Sequence, residues 1–390
     1  MIDKMKKIFF SFLMFAAMLT PVVLTSCGDD DNDNGTDPTD DNKLSGSIQD
    51  TRTLDASVEY LLTGPLIVED GATLNIPAGT TIKAQKGFGS YILVLQGGKI
   101  NVNGTAEAPV TMTANIENAE QGHWGGLIIN GRAPLSGGET GKTEINNAYT
   151  YGGTNAADNS GSISYLILAY TGARSSADVE HNGLTLNGVG NGTKIENIYI
   201  PDGADDGIEF FGGSVNVKNL LVVNSDDDMF DMTQGYNGTL ENAYGIWEPG
   251  FVSSEEDPRG VEADGNLDGN SPNQTGQSDF TIRNMTIDLR LQPSTTEGYF
   301  MHAVLKIRRG AKATIENALV KGQGQARDLV DMTDGKGVGN PASVISITNA
   351  LSTPLMNTVD DGIKGVANIT TDNNNTGCPT DIFAWTGYQF

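Results

Sequence analysis

Cysteine, aromatic residues and basic residues are all scarce in this sequence. Its 390 residues include two cysteines, 7% aromatic residues, and 24 Lys and Arg against 49 Asp and Glu, which gives a formal net charge of −25. Binding to nucleic acid or to an anionic membrane surface requires basic side chains, so the charge argues against both as partners of the folded chain. The 49 glycines and few aromatics instead favour an all-β fold with many turns.

Long apolar runs are also lacking beyond the N-terminus. Three lysines within the first seven residues precede an apolar run over residues 8–20, and residues 24–27 read Leu-Thr-Ser-Cys. These features are typical of a secretory signal, with a transmembrane anchor as the alternative. The tetrapeptide resembles a bacterial lipobox. The resemblance implies cleavage before Cys27, acylation of its thiol, and a lipid anchor in the membrane.

An acidic segment follows Cys27. Its seven aspartates are Asp29, Asp30, Asp31, Asp33, Asp37, Asp40 and Asp41. Such a stretch has nothing to bury, so we expect a disordered tether. It resembles the acidic export signal of surface lipoproteins of Bacteroidetes, which implies an outer-membrane location facing the cell exterior; a plain solvated linker is the alternative. The sequence thus predicts a signal peptide over residues 1–26, a tether over 27–43 and one domain over 44–390.

Short apolar segments separated by glycine turns recur along that domain and predict a parallel β-solenoid. In its second half a strand ending in Asn repeats, and these residues are Asn197, Asn219, Asn242, Asn284, Asn317 and Asn349. The shortest spacing, 22 residues, suits one three-strand coil, and the longer spacings suit coils with inserted loops. We expect the asparagines to stack in a hydrogen-bonded ladder at a corner of each coil. The aromatic C-terminal end, residues 383–390, is expected to cap the last coil.

A second strand per coil aligns in two informative columns. The first column is apolar and should face the core: Leu184, Ile208, Phe230, Val261, Leu305, Val330 and Ile363. The next residue in each strand should point outward, because side chains alternate along a strand. This outward column consists of Thr185, Glu209, Asp231, Glu262, Lys306, Asp331 and Lys364. Successive members should lie ~4.8 Å apart up one face.

Several longer motifs carry a family resemblance. Residues 120–131 read Glu-Gln-Gly-His-Trp-Gly-Gly-Leu-Ile-Ile-Asn-Gly, residues 205–213 read Asp-Asp-Gly-Ile-Glu-Phe-Phe-Gly-Gly, and related patterns occur at 181–190, 225–231 and 259–264. Together they resemble the right-handed parallel β-helix lipoproteins of Bacteroidetes and Proteobacteria over residues 44–390. The resemblance implies a fold and a location at the cell surface. It carries over no catalytic residue.

Carboxylates crowd around the outward column and form a candidate metal site. Its predicted ligands are Asp205, Asp206, Glu209, Asp227, Asp228, Asp231, Glu262 and Asp264. Like charges at this spacing repel by about 1 kcal/mol per pair even in water, so a bound cation or a basic neighbour should offset them. Oxygen ligands in this number suit Ca²⁺, the predicted cofactor. The alternative is a solvated acidic face whose aspartates cap turns.

Basic and aromatic residues near these acids suggest how a ligand or substrate is held. Arg259 and Lys306 are candidate bases, although an arginine is protonated in almost any site; for Arg259 an ion pair with Glu262 or Asp264 is the alternative. Trp247 is a candidate platform for a sugar ring, or else a core residue. The segment 248–277 interrupts the coil rhythm and is expected to wall a groove on the acidic side.

Three functions remain open at this point. The first is capture of a glycan or cation-bridged ligand at the cell surface by Glu209, Asp231, Glu262, Arg259 and Trp247, with an outer-membrane transporter as a further partner. The second is a divalent-cation-dependent polysaccharide lyase or hydrolase, although the Gly-His-Gly and Asn-Thr-Asp elements of polygalacturonase-type β-helices are missing. The third is a structural or adhesion role. A lyase requires three converging carboxylates with a free basic residue ~4–6 Å beyond them.

Overall fold

The computed structural model describes residues 42–176, 179–371 and 374–390. Within them, 24 strands form one sheet whose strands pair in parallel, wound as a right-handed parallel β-helix, and two further strands form a hairpin. The predicted signal peptide, Cys27 and the acidic run up to residue 41 lie outside the described residues. No helix among the described residues is long and apolar enough to cross a membrane.

The strands of the first half are β1 (Lys43–Ile48), β2 (Thr51–Thr53), β3 (Glu59–Val68), β4 (Thr73–Pro77), β5 (Thr81–Ala84), β6 (Gly87–Val94), β7 (Lys99–Asn103), β8 (Val110–Ala114), β9 (Trp124–Asn130), β10 (Gly141–Thr143), β11 (Asn146–Tyr151), β12 (Gly161–Leu168) and β13 (Leu184–Asn187). Those of the second half are β14 (Lys194–Pro201), β15 (Ile208–Phe211), β16 (Asn216–Val223), β17 (Phe230–Thr233), β18 (Thr239–Trp247), β19 (Arg259–Asp264), β20 (Asp279–Leu289), β21 (Phe300–Arg308), β22 (Lys312–Gly322), β23 (Gln325–Asp331), β24 (Val344–Leu351), β25 (Ile363–Lys364) and β26 (Asn368–Thr370). Short 3-10 segments lie at Ser136–Gly138, Leu267–Gly269, Val359–Gly362 and Asp381–Thr386.

Three stacks of parallel strands make up the coils. One stack, here called the site face, runs β6, β9, β13, β15, β17, β19, β21, β23 and β25. The other two stacks share the long strands β14, β16, β18, β20 and β22, each of which turns a corner partway along its length. Each coil of the second half therefore contributes one short strand to the site face and one bent strand to the rest of the helix.

The asparagine ladder lies at the bend in these strands. Asn197, Asn219, Asn242, Asn284 and Asn317 all have positive φ, between 54 and 59°, a region that Asn tolerates better than other side-chain-bearing residues. Each Nδ2 donates to the Oδ1 of the preceding asparagine, at 2.8 Å in every step. The predicted ladder is therefore confirmed for these five residues.

Asn349 is not a member of the ladder, and that part of the prediction is wrong. The register between β22 and β24 shifts between Ile315 and Ala318, so Asn349 lies opposite Val320 rather than Asn317. Its Oδ1 instead accepts a hydrogen bond from the backbone of Leu351. One residue fewer at the corner removes the position where the amide would stack.

The apolar column of the site face lies in the core as predicted. Leu184, Ile208, Phe230, Val261 and Leu305 pair in sequence through successive strands and have no exposed surface. Alternation along each strand then turns the outward column away from this core. The register confirms both columns.

The C-terminal segment does not cap the last coil, so that expectation is wrong. Cys378 and Phe383 pack against the outer side of the middle coils, in a cluster with Leu221 and Tyr244. The backbone N–H of Thr376 donates to Oδ1 of Asn317, the last asparagine of the ladder, and so supplies the donor that a sixth asparagine would have provided. The strands beneath are apolar on both sides, as in the run Leu-Leu-Val-Val at residues 220–223, and therefore require such a cover.

Candidate functional site

A cleft of about 410 Å³ lies over the outward side of the site face, at β15, β17 and β19. Eleven carboxyl groups, two guanidinium groups and one amide line it. These residues are Glu144, Glu180, Asn182, Asp205, Asp206, Glu209, Asp227, Asp228, Asp231, Asp257, Arg259, Glu262, Asp268 and Arg308. None of them is aromatic, so a sugar ring has no platform on which to stack in this cleft. We refer to it as the acidic cleft.

Two successive coils bring most of these acids together. Glu209 pairs in register with Asp231, which in turn pairs with Glu262. Asp205 and Asp206 immediately precede β15, and the corresponding Asp-Asp pair at 227–228 precedes β17. The motif Asp-Asp-x-x-acid thus repeats on neighbouring strands, ~4.8 Å apart, and places its carboxylates side by side.

The outward column, which the alternative interpretation placed on a solvated face, instead forms the recessed floor of the cleft. Glu209 and Glu262 point away from the core, yet they are only 8% and 6% exposed. The walls come from outside the strands: Glu144 lies between β10 and β11, and Asp257 and Asp268 flank β19. The segment 248–277 was expected to form such a wall. Its two flanks do so, while its middle is the strand β19.

At one end of the cleft the carboxylates are neutralised by arginines. Arg259 forms ion pairs with Glu262 and Asp257, and its Nη1 lies 3.6 Å from Asp228. Arg308 pairs with the same Glu262, and its Nε lies 2.8 Å from Asp264. The ion pair between Arg259 and Glu262 is one the sequence suggested. It leaves Arg259 bound by carboxylates on more than one side.

At the other end, five carboxylates have no direct ion-pair partner, although nearby arginines act on three of them at longer range. Asp205, Asp206, Glu209, Asp227 and Asp231 form no ion pair with any Lys, Arg or His among the described residues. Two neutral donors reach them: Asn182 donates to Glu209 Oε2 at 2.6 Å, and the Asp228 backbone donates to Asp206 Oδ1 at 3.0 Å. These bonds satisfy a small part of their acceptor capacity.

Three buried oxygens of residues that line the cleft lack any hydrogen-bond partner in the described structure. They are Oδ1 of Asp227, Oδ1 of Asp228 and Oδ1 of Asp231. An unsatisfied buried acceptor typically costs about 1–3 kcal/mol, and more when it is charged. Buried polar groups in folded proteins nearly always have a partner, so a water molecule or an ion is expected at these oxygens.

The proton affinities of these groups reflect the same crowding. Burial, followed by repulsion from neighbouring carboxylates, raises the pKa of Asp205, Asp206, Glu209 and Asp231 well above the usual range. Burial also raises the pKa of Asp228 to about 6, although Arg259 opposes the rise. Without a cation, burial and mutual repulsion therefore favour the protonated forms of these groups.

The unpaired carboxylates converge closely enough to bind cations. Oxygens of Asp205, Asp206 and Asp227 lie within 4.8 Å of one another, and so do oxygens of Asp206, Glu209 and Asp231. Ca²⁺ holds oxygen ligands at about 2.3–2.6 Å, so ligands on opposite sides of one ion are up to about 5 Å apart. Both groups fit that limit. The donors are all carboxylates, which suit Ca²⁺ or Mg²⁺ and not a softer metal.

Three predicted metal ligands, Asp228, Glu262 and Asp264, and one predicted base lie outside these two groups. Glu262 and Asp264 are bound by the arginines at the paired end, and Asp264 does not line the cleft. Lys306 donates to Asp331 Oδ2 at 2.8 Å and to the Thr333 carbonyl at 2.7 Å, outside the cleft. Lys306 lies beside Glu262 on the next strand, but it is bonded to Asp331 and does not line the cleft, so its prediction as a free base at this site is wrong.

The prediction that Trp247 contacts a ligand is also wrong. Its side chain has no exposed surface, and Nε1 donates to the Ser225 carbonyl at 3.0 Å. Phe251 packs on it with ring centroids 5.3 Å apart. Trp247 is a core residue at the end of β18, the alternative that the sequence also allowed.

Sequence reasoning missed six residues of the cleft. They are Glu144, Glu180, Asn182, Asp257, Asp268 and Arg308. Arg308 carried a usable signal, since it follows Lys306 by two positions in β21 and must point outward with it. Glu144, Asp257 and Asp268 lie in connecting segments without a period, where no alignment of coils predicts their position.

A family model for a pectate-lyase-like β-helix domain matches residues 46–388. No curated protein and no solved structure matches the chain. The match covers almost the whole of the helix described above, including every residue of the acidic cleft.

Proposed function

Since this chain belongs to the family of pectate-lyase-like β-helix domains, we propose that it binds an anionic polysaccharide through calcium ions held in the acidic cleft. The observation that carries the proposal is the convergence of five carboxylates that form no direct ion pair among the described residues. A polyanion would be repelled by this surface unless cations lie between the two, because both carry negative charge.

The lining of the cleft supports a charged ligand over a neutral one. Neutral sugars are commonly held by stacking on aromatic rings, and none of the described lining residues is aromatic. Cations held by carboxylates have remaining coordination positions that the carboxylates of a uronate chain can fill. Recognition would then depend on the cation and weaken in a chelator.

Binding rather than cleavage is proposed because the basic residues of the cleft are engaged. A lyase needs a base that can accept a sugar proton. Arg259 is bonded to Glu262 and Asp257, and Arg308 to Glu262 and Asp264. Neither guanidinium is free to approach a sugar carbon while these pairs persist.

Calorimetric titration of the full chain with oligogalacturonates tests the proposal. We expect binding with Ca²⁺, none with chelator, and none to a neutral glucan of equal length. The double variant Glu209→Gln/Asp231→Asn should lose binding, whereas Asp331→Asn, in the same column but outside the cleft, should keep it. Equal binding in chelator, or by the double variant, would contradict the proposal.

Cleavage is tested in the same samples. Ultraviolet absorbance of unsaturated uronate products should stay at the level of a no-protein blank. A calcium-dependent rise that Arg308→Lys abolishes would replace the binding proposal with a lyase. Release of reducing ends from the neutral glucan alone, measured by a reducing-sugar assay, would contradict both.

We further propose that the protein is a surface lipoprotein, held at the outer membrane through Cys27. The support is the lipobox resemblance and the acidic residues that follow it. Mass spectrometry of the mature N-terminus should find a lipidated Cys27, and Cys27→Ser should release the protein from the membrane fraction. An unmodified Cys27 in the membrane-bound protein would contradict this anchor.

A further inference from the structure

The acidic cleft contains two groups of three carboxylates rather than one. The first comprises Asp205, Asp206 and Asp227, and the second comprises Asp206, Glu209 and Asp231. Asp206 belongs to both groups, and it is 6% exposed. A carboxylate has two oxygens with about four lone-pair directions, so one side chain can serve two cations at once.

We infer that the cleft binds two divalent cations side by side, with the carboxylate of Asp206 bridging them. The inference rests on the proposed calcium site and goes beyond it in the number of ions and in the role of Asp206. One ion would lie between Asp206 and the Asp205–Asp227 side, and the other between Asp206 and the Glu209–Asp231 side.

Orphaned oxygens on both sides support two ions independently of the clustering. Oδ1 of Asp227 lies in the first group and Oδ1 of Asp231 in the second, and both are buried without a partner. Oδ1 of the neighbouring Asp228, a residue only 3% exposed that lines the same cleft, is also without a partner. A single ion in one group would leave the orphan of the other group unsatisfied.

Charge balance points the same way. The five carboxylates of the two groups carry five negative charges when ionised, and no ion pair from the described residues offsets them. One divalent cation leaves three of these charges uncompensated in a recess, whereas two leave one. The remaining charge and open coordination positions suit waters or the carboxylates of a ligand.

The repeat in the sequence explains why the groups lie together. Asp-Asp-Gly-Ile-Glu at 205–209 and Asp-Asp-Met-Phe-Asp at 227–231 occupy successive coils, in register from Ile208 and Phe230 onward. The backbone of Asp228 donates to Asp206 Oδ1 and so positions the bridging carboxylate. The next coil has Arg259 near the equivalent place, which ends the cation-binding series.

Equilibrium dialysis and calorimetry of the full chain with Ca²⁺ alone test the inference. We expect two tightly bound ions per chain, above the weak binding of the acidic N-terminal segment. Asp206→Asn should lose both ions. Asp227→Asn and Asp231→Asn should each lose one, and the double variant Asp227→Asn/Asp231→Asn should lose both. Asp331→Asn, matched in residue type and column, should retain two.

Thermal melting in chelator separates lost binding from lost folding. Each Asn variant of the cleft should melt at or above the wild-type temperature without calcium, because it removes a repelling charge. One ion per chain in the wild type, abolished by Asp206→Asn, would overturn the two-cation inference and leave the proposed function standing. Two ions of which Asp206→Asn removes one would overturn the bridging role. No tight ion in the wild type would overturn the inference and the calcium site together.

Discussion

The outward column of the site face has two halves that occupy equivalent strand positions but differ in charge pattern. In β21, β23 and β25 it reads Lys306, Asp331 and Lys364, and the charges alternate from strand to strand. In β15, β17 and β19 it reads Glu209, Asp231 and Glu262, all acidic. The strands pair in parallel in both halves, so the difference lies in the side chains and in the loops that wall the acidic half.

The alternating half neutralises itself. Lys306 Nζ lies 2.8 Å from Asp331, and Lys364 Nζ lies 2.7 Å from Asp328 and 4.0 Å from Asp331. Although burial opposes it, hydrogen bonds from Lys306 and Thr333 hold the pKa of Asp331 below its usual value. The acidic half has the reverse shift at Asp231, because burial and like charges dominate there. Self-pairing marks a structural surface, and unpaired acids mark a surface that requires a partner.

The largest effect should come from breaking the self-paired half. Lys306→Met leaves Asp331 buried beside a single, more distant lysine, and loss of one partner of a buried pair costs about 3 kcal/mol. Urea unfolding near pH 8 should show this decrease in the free energy of unfolding. The control is Lys218→Met, since Lys218 pairs with Glu241 at the surface and such pairs contribute about 0–1 kcal/mol. Equal losses in both variants would contradict the comparison.

The pH dependence should run in opposite directions in the two halves. A carboxyl group whose pKa rises on folding binds a proton that the unfolded chain releases at about pH 4, so stability falls as the pH rises from about 4 through the raised value, at about 1.4 kcal/mol per pH unit for each such proton. Asp228 and Asp264, with pKa values raised to about 6, set a lower bound on this window. Asp331, with its lowered pKa, loses its contribution only as the pH falls below about 4.

Melting temperatures in chelator test this dependence. The metal-free protein should be more stable near pH 5 than near pH 8, and saturating Ca²⁺ should remove or reverse the difference, because binding to the folded state alone adds stability. A rise in metal-free stability from about pH 5 to 8 would mean that the acidic half is paired by something else.

The smallest effect should come from a matched pair of substitutions in the column. Asp231→Asn removes one like charge and should stabilise the metal-free protein near pH 8 by about 1 kcal/mol. Asp331→Asn should destabilise it, since the substitution leaves Lys306 without its charged partner. Chemical denaturation in chelator measures both. The same sign for the two variants would show that position in the column, and not pairing, decides the effect.

The periodic parts of the molecule could be predicted and the aperiodic parts could not. The apolar column, the outward column and five of six ladder asparagines follow from alignment of coils, because a parallel stack repeats the same environment at each rung. The prediction for Asn349 failed because the corner of its coil has one residue fewer. The recurrence of Asn at strand ends does not reveal this deletion. The prediction for Trp247 failed because an aromatic residue at a strand end beside an insertion has the same sequence pattern whether it faces the core or a groove.

Local sequence pattern suffices to specify the β-helix, the direction of each column and the unusual negative charge on one face. Period-two alternation and glycine or asparagine corners are local properties, so they can be recognised in the amino-acid sequence. The three-dimensional fold makes this face a recess, pairs arginines with Glu262 but not with Glu209 or Asp231, and places Asp206 in two groups of carboxylates. Those outcomes depend on contacts between loops that are far apart in the chain. Glu144 and Asp268, for example, meet at one cleft only after the chain has folded.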